Sequence, residues 1–225
     1  AAEDYRQGGN EGVRLPPGGF LPVAERYNLT GRIDRWVVRN LLERYAVKRR
    51  EEPACQIPLY CVNLSSAALL DVTFERHVLK QIDSSGIAGD RLCFEIAAEH
   101  LRDHAAAVRR LMDSLRVLGC RFAVDGLEGT HDSLAAMRKL RFDFCKIDGF
   151  TILNMLLDTA VLPKVKAIAI TCRKLGVPTI AQFVESDDIR EKVTAVGVDY
   201  VQGFGVGRPD VLARVGWSAP AMQVD

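Results

Sequence analysis

Several things are missing from this chain, and each absence removes a class of protein. No apolar run reaches the roughly 18 residues that a membrane-crossing helix needs, and the opening AAEDYRQGG lacks the charged-then-apolar order of a signal peptide. The expectation is a soluble cytoplasmic segment, or the cytoplasmic part of a larger membrane-anchored protein, with no membrane contact of its own. There is almost no net charge: 30 Lys plus Arg stand against 29 Asp plus Glu, a formal +1. Nothing global therefore draws the chain to nucleic acid or to an anionic surface, although a local anion site is compatible with it. No C-x-x-C pair occurs among the six cysteines, which are widely spaced and mostly embedded in apolar runs, so they are expected to be reduced, buried thiols. His100 and His104 form the one i, i+4 histidine pair, with no zincin glutamate between them, and are read as part of a solvated helix start.

What is present is a globular composition. With 225 residues, 48% of them apolar and 26% charged, and with 9 prolines, the chain can bury a sizeable core; disorder, collagen and coiled coil are excluded. Short β-rich runs, at 57–64, 91–97, 120–125, 142–148, 178–184 and 198–204, alternate with stretches whose apolar residues recur every three or four positions. Several helical stretches stop at Gly86, Gly119, Gly176 and Gly197, each followed closely by a strand. A Gly/Pro-rich entry at 8–19 leads into one or two helices before the first of these strands.

No internal Pro/Gly/Ser linker divides the chain, so residues 1–225 are expected to form a single domain. The fold class is α/β: strands rich in Val, Ile, Phe and Leu suit a parallel sheet covered on both faces. A doubly wound sheet would carry a Gly-rich phosphate turn after its first strand, and none is found there. The GFGVG at 203–207 follows the last strand instead and opens no long helix. A (β/α)8 barrel is favoured, with six units visible.

In such barrels chemistry gathers at the C-terminal ends of the strands. Here Asn63, Glu95, Asp125, Lys146 with Asp148, Gln182 with Glu185, and Gln202 lie at or near the ends of the six runs in turn. Any one of them has a plain alternative as a helix cap or a hydrogen-bonded core polar group. All six together favour one functional rim. Asn63, Glu95 and Asp125 offer hard oxygen donors that suit Mg²⁺ or Mn²⁺ over zinc. Lys146 has two readings: it can hold a phosphate or a water, or it can neutralise Glu95 and Asp125 inside the barrel mouth.

At these residues the chain resembles the EAL domain family of cyclic di-GMP phosphodiesterases. The resemblance runs through PVAERYNLTGRIDRWV, VNLS at 62–65, FEI at 94–96, AVD at 123–125, DFCKIDG at 143–149, FVES at 183–186 and GVDYVQGF at 197–204. It implies a modified TIM barrel whose first strand runs antiparallel, and cyclic di-GMP held over the strand ends. It further implies Asn63, Glu95 and Asp125 as metal ligands, Lys146 beside the scissile phosphate, and Glu185 and Gln202 as the later carboxylate and glutamine of the site. A homodimer and other domains of a larger signalling protein are compatible partners.

The departures from the family pattern set the functional expectation. The Glu-x-Leu tripeptide that names the family is absent from AAEDYRQGG, so the first strand is expected to be truncated or the motif decayed. Gly126 stands where the family places a second Asp, Gln182 where it has a Glu three residues before Glu185, and Ala98 where a second Glu ends the FEITE-like strand. An amide cannot accept a proton at neutral pH. Catalysis, with Lys146 and Glu185 as its residual residues, should suffer more than binding through Phe183, Gln202, Arg208 and Lys146. The expectation is a degenerate domain that binds cyclic di-GMP as a receptor, with weak Mg²⁺ or Mn²⁺ occupancy and no metal required for ligand binding. The alternatives are an active phosphodiesterase giving pGpG, with Glu128 or water compensating for the missing carboxylate, and a ligand-free protein-interaction module.

Overall fold

In the computed structural model, residues 17–208 are described. Two helices come first, α1 (Pro17–Arg26) and α2 (Thr30–Glu51), separated by a turn in which Asn28 takes a left-handed conformation, φ 54°. Six strands follow: β1 (Tyr60–Leu64), β2 (Leu92–Ala97), β3 (Arg121–Leu127), β4 (Phe144–Ile147), β5 (Thr179–Ala181) and β6 (Tyr200–Val201). All pair in parallel, in the order β1-β2-β3-β4-β5-β6.

That order carries the topology. A doubly wound sheet reverses its strand order part-way and places helices on both faces. Here each strand is added beside the last, always in the same direction, which is how a barrel wall grows. The antiparallel strand expected at the start does not occur among the described residues, and AAEDYRQGG lies outside them. The strands are also shorter than the β-rich runs implied. The run at 57–64 pairs only from Tyr60, and that at 178–184 ends at Ala181, just before Phe183 turns the backbone to φ 57°.

Between the strands lie α3 (Ser66–Leu70), α4 (Val72–Ser85), α5 (Ala98–Asp103), α6 (Ala105–Arg116), α7 (His131–Arg138), α8 (Gly149–Leu157), α9 (Val161–Leu175) and α10 (Asp187–Ala195). The stretch 67–82 reads as one helix by period but is two. Asp71 breaks it by accepting a hydrogen bond from the Thr73 N–H at 2.8 Å, capping α4. Gly86 and Gly176 end α4 and α9 at φ 66° and 68°, a backbone that a Cβ would disfavour.

Side chains alternate across each strand, and the register puts like faces together. Val62, Leu64, Phe94, Ile96, Phe122 and Val124 lie on the helix-covered side, with the Phe94 and Phe122 rings 5.9 Å apart. They form one buried cluster with Phe74, Val78 and Ile82 of α4, Leu111 and Leu115 of α6, and Val165 and Ile168 of α9. The opposite side carries Cys61, Asn63, Cys93, Glu95, Ala97, Ala123 and Asp125. The core is thus held between sheet and helices, and the inner face of the sheet is left to polar groups.

Candidate functional site

The register dictates which inner-face residues share a level. Asn63 of β1 pairs with Glu95 of β2, and Ala97 of β2 pairs with Asp125 of β3, one rung further toward the C-terminal ends. Between β3 and β4 the ladder slips: Val124 pairs with Cys145 and Leu127 with Ile147, so Asp125 and Gly126 together face the single residue Lys146. This is a β-bulge, and its extra residue is a glycine at φ 70°. The register before the slip, Ala123 with Phe144 and Val124 with Cys145, carries Asp125 and Lys146 to the mouth on the same face, and the bulge lies just beyond them.

Lys146 is 4% exposed and Glu95 3%. The Nζ of Lys146 donates to both carboxylate oxygens of Glu95, at 2.9 and 2.8 Å, and lies 3.8 Å from Asp125 Oδ1. Burial works against the ammonium, but Glu95 and Asp125 outweigh it and hold its pKa above the ordinary lysine value. Gln182, just past β5, donates from Nε2 to Asp125 Oδ1 at 2.8 Å. Four of the residues singled out in the sequence therefore make one connected network, Glu95–Lys146–Asp125–Gln182.

The remaining candidates lie around it. Asn63, Glu185 and Gln202 are exposed. Gln202 ties β6 to β5 through its backbone, donating to Ala181 O at 2.8 Å and accepting from Val184 N at 3.0 Å. Gly203 and Gly205 pack so close to the Val184–Glu185 backbone that a Cβ at either would collide with it. Arg208 is exposed, its guanidinium 6.0 Å from the Phe204 ring centroid. Asp148 is occupied locally, capping α8 by accepting from the Thr151 N–H. Cys61 is exposed and Cys55 half-buried, so full burial holds for four of the six cysteines.

Phe183 sits on the rim at 44% exposure in a left-handed conformation, which a bulky side chain adopts only where its surroundings impose it. One cause is visible: its ring rests on Gly149, where a Cβ would collide with it. It packs edge-to-face with Phe150, centroids 5.8 Å apart and planes at 85°. Phe150 was not anticipated. A large apolar residue in the first, solvent-facing turn of a helix that follows a polar strand end was the available signal, and at 69% exposure it is under-buried for its size. Asp34 of α2 is a second addition. It is buried against Ser65, which donates to it from both N–H and hydroxyl; burial pushes its pKa up, and the hydrogen bonds offset part of that. A cavity of about 940 Å³ opens beside Asp125 and Gly126, lined further by Ala98, Arg102, Glu128 and Lys139.

The donor set bears on metal binding. A Mg²⁺- or Mn²⁺-type ion needs several free anionic oxygens. Both Glu95 oxygens accept from Lys146, and one Asp125 oxygen accepts from Gln182, so the ammonium takes the point on which the carboxylates converge. Among the described residues no group of three or more His, Cys, Asp or Glu could hold a metal ion. This arrangement does not fit a two-ion centre.

Comparison with known proteins decides the family, because the EAL domain model matches residues 6–209. This chain belongs to the EAL domain family. Among curated relatives, the cyclic di-GMP phosphodiesterase PdeF of Escherichia coli is 29% identical over 207 residues, 92% of this chain and 27% of PdeF. PdeB of Shewanella oneidensis, also a cyclic di-GMP phosphodiesterase, is 30% identical over 199 residues, 88% of this chain and 23% of PdeB. The chain thus spans about a quarter of the length of these relatives. Of solved structures, the PaMucR phosphodiesterase in complex with c-di-GMP superposes with a TM-score of 0.80 at 24% identity, covering 95% of this chain and 84% of that one. The FimX EAL domain of Xanthomonas citri, also in complex with c-diGMP, gives 0.82 at 20% identity, covering 93% and 81%. The fold is accordingly the modified TIM barrel of EAL domains, and the six parallel strands are its wall. No helix among the described residues is long and apolar enough to cross a membrane.

Proposed function

We propose that this EAL domain binds cyclic di-GMP over its strand ends as a signalling receptor and hydrolyses it little or not at all. The observation that carries the reading is the closed network at the mouth. Lys146 neutralises Glu95, and the Gln182 amide donates to Asp125 where an activating acceptor would be needed. An amide is not basic enough to take a proton from water at neutral pH, so Gln182 cannot serve as the base. Catalysis depends on interactions made only in the transition state, whereas binding draws on groups that persist here. Phe183 offers an exposed ring face to a guanine, and Gln202 and Arg208 supply exposed polar groups on the same rim. Lys146 contributes by offsetting the carboxylate charge of Glu95 and Asp125 that would otherwise repel the phosphates. Asn63 and Asp125 can bind Mg²⁺ or Mn²⁺ only weakly, and ligand binding proceeds without the ion. We place the domain in the cytoplasm, within a larger signalling protein and able to form a homodimer.

A second reading, hydrolysis to pGpG with residual roles for Lys146 and Glu185, is favoured by the names of the relatives and by Glu128, which lines the cavity beside Asp125. Calorimetry with cyclic di-GMP, with and without Mg²⁺, combined with chromatography for pGpG, separates them. Binding without turnover is expected. Brisk turnover by the unmodified chain selects the enzyme, and absence of binding selects an interaction module.

A further inference from the structure

One rung beneath Asn63 and Glu95, on the same inner face of the sheet, the register pairs Cys61 of β1 with Cys93 of β2. Cys61 is exposed and Cys93 is buried. Directly paired residues on neighbouring strands lie about 4.8 Å apart at their Cα atoms. A disulfide accepts Cα separations of roughly 4.4–6.8 Å. Their side chains also leave the sheet on one side. The strand spacing therefore falls within the range a disulfide spans, and one of the two residues is open to solvent.

We propose that Cys61 and Cys93 are an oxidisable dithiol, which a peroxide converts to a disulfide joining the two strands that carry Asn63 and Glu95. The Cys61 sulfur attacks one peroxide oxygen; the O–O bond breaks, water leaves, and a sulfenic acid forms on Cys61. The Cys93 sulfur then displaces that oxygen, which departs as a second water. Two thiols lose two electrons and two protons, and one hydrogen peroxide is reduced to two waters. Resolution by an adjacent thiol stops Cys61 from proceeding to sulfinic acid. In a reducing compartment such a bond is a transient, regulatory one. The site is independent of the nucleotide reading, since it rests on register and exposure alone.

The molecule supplies its own control. Cys145 of β4 and Cys172 of α9 are both buried on the helix-covered side. Access, and not mere proximity, should decide which pair reacts. The test treats the folded 225-residue chain with hydrogen peroxide, quenches, unfolds and alkylates it, and maps peptides under non-reducing conditions. The expected result is a Cys61–Cys93 linked peptide, with Cys145 and Cys172 still alkylatable and the link reversed by dithiothreitol. Cys93→Ser should leave a sulfenic acid on Cys61 that dimedone traps, and Cys61→Ser should leave Cys93 unreacted; far-ultraviolet circular dichroism confirms that each variant is folded. Three outcomes would overturn the proposal: Cys61 passing to sulfinic or sulfonic acid while Cys93 remains a thiol, Cys61 linking two chains, or no change at either residue.

Discussion

Replacing Lys146 by Met tests whether the mouth network is an internally neutralised pair. The ammonium and the Glu95 carboxylate are both almost fully buried and share two hydrogen bonds of 2.8–2.9 Å. Lys146→Met keeps most of the side-chain volume and removes only the charge, leaving Glu95 in a dry site without its partner. Breaking a buried pair from one side costs about 3–5 kcal/mol, against about 0–1 kcal/mol for an exposed pair. At about 2–4 °C per kcal/mol for a chain of this size, the melting point should fall by about 6–20 °C. Adding Glu95→Gln removes the stranded charge, so the double variant should be more stable than Lys146→Met alone. The pH dependence has a fixed sign. Because the lysine pKa is raised on folding, its contribution is whole below the ordinary value of 10.5 and is lost as pH rises through the higher folded value. The parent should therefore lose more stability than the Lys146→Met variant above that pH. Urea unfolding followed by circular dichroism measures all of this. A Lys146→Met protein within about 1 kcal/mol of the parent, or a double variant destabilised by the full sum of the singles, would refute the reasoning.

Phe183→Ala should leave the fold intact and weaken cyclic di-GMP binding by about 1–3 kcal/mol, or about 5- to 150-fold in Kd, if the exposed ring face stacks on a base. Unchanged affinity by calorimetry would reduce Phe183 to packing on Gly149 and Phe150. Asp71→Ala removes the cap that starts α4 and its ion pair with Arg35, and should cost about 1 kcal/mol in urea unfolding. Because Thr73 and Arg35 hold the Asp71 carboxyl down at about 2, that contribution should persist at neutral pH and fade only as pH drops from about 4 toward 2. Gln182→Glu and Gly126→Asp should each change pGpG release little, and the pair together more than their product, as for groups that act as a unit; equal release from the parent and the double variant would count against the assignment of those two positions.

The barrel was legible because its signals are periodic and repeated. Alternating β-rich and helical stretches, four of the latter closed by a glycine, marked out all six described strands. Where the reading slipped, a tertiary or capping effect overrode the period. Asp71 prefers to hydrogen-bond its own backbone, so it splits one apparent helix into α3 and α4. The β-propensity of 178–184 continues past the point where β6 stops pairing, so it overruns a three-residue strand. Helices α5 and α8 went unread because each begins directly at a strand end, where the polar residues had already been assigned to the rim. Cys61 was taken for a core thiol because a strand pattern does not say whether the inner face of a barrel is filled.

The site was legible residue by residue but not as a network, and Gly126 shows why. By resemblance it is a lost carboxylate, an entirely chemical deficit. In the fold it is the extra residue of the β3–β4 bulge at φ 70°, and nothing lies within 4 Å of the Cβ it lacks. Space therefore permits an aspartate, while the backbone resists it by roughly 1 kcal/mol, less for Asp than for most residues. The glycine and the network belong together. The parallel register brings Lys146 level with Asp125, and once the ammonium holds both carboxylates a second acid at 126 would add charge to a mouth whose cation is already committed. Pairing in sequence could not reveal this, because Glu95 and Lys146 are 51 residues apart and meet only through the register of β2, β3 and β4.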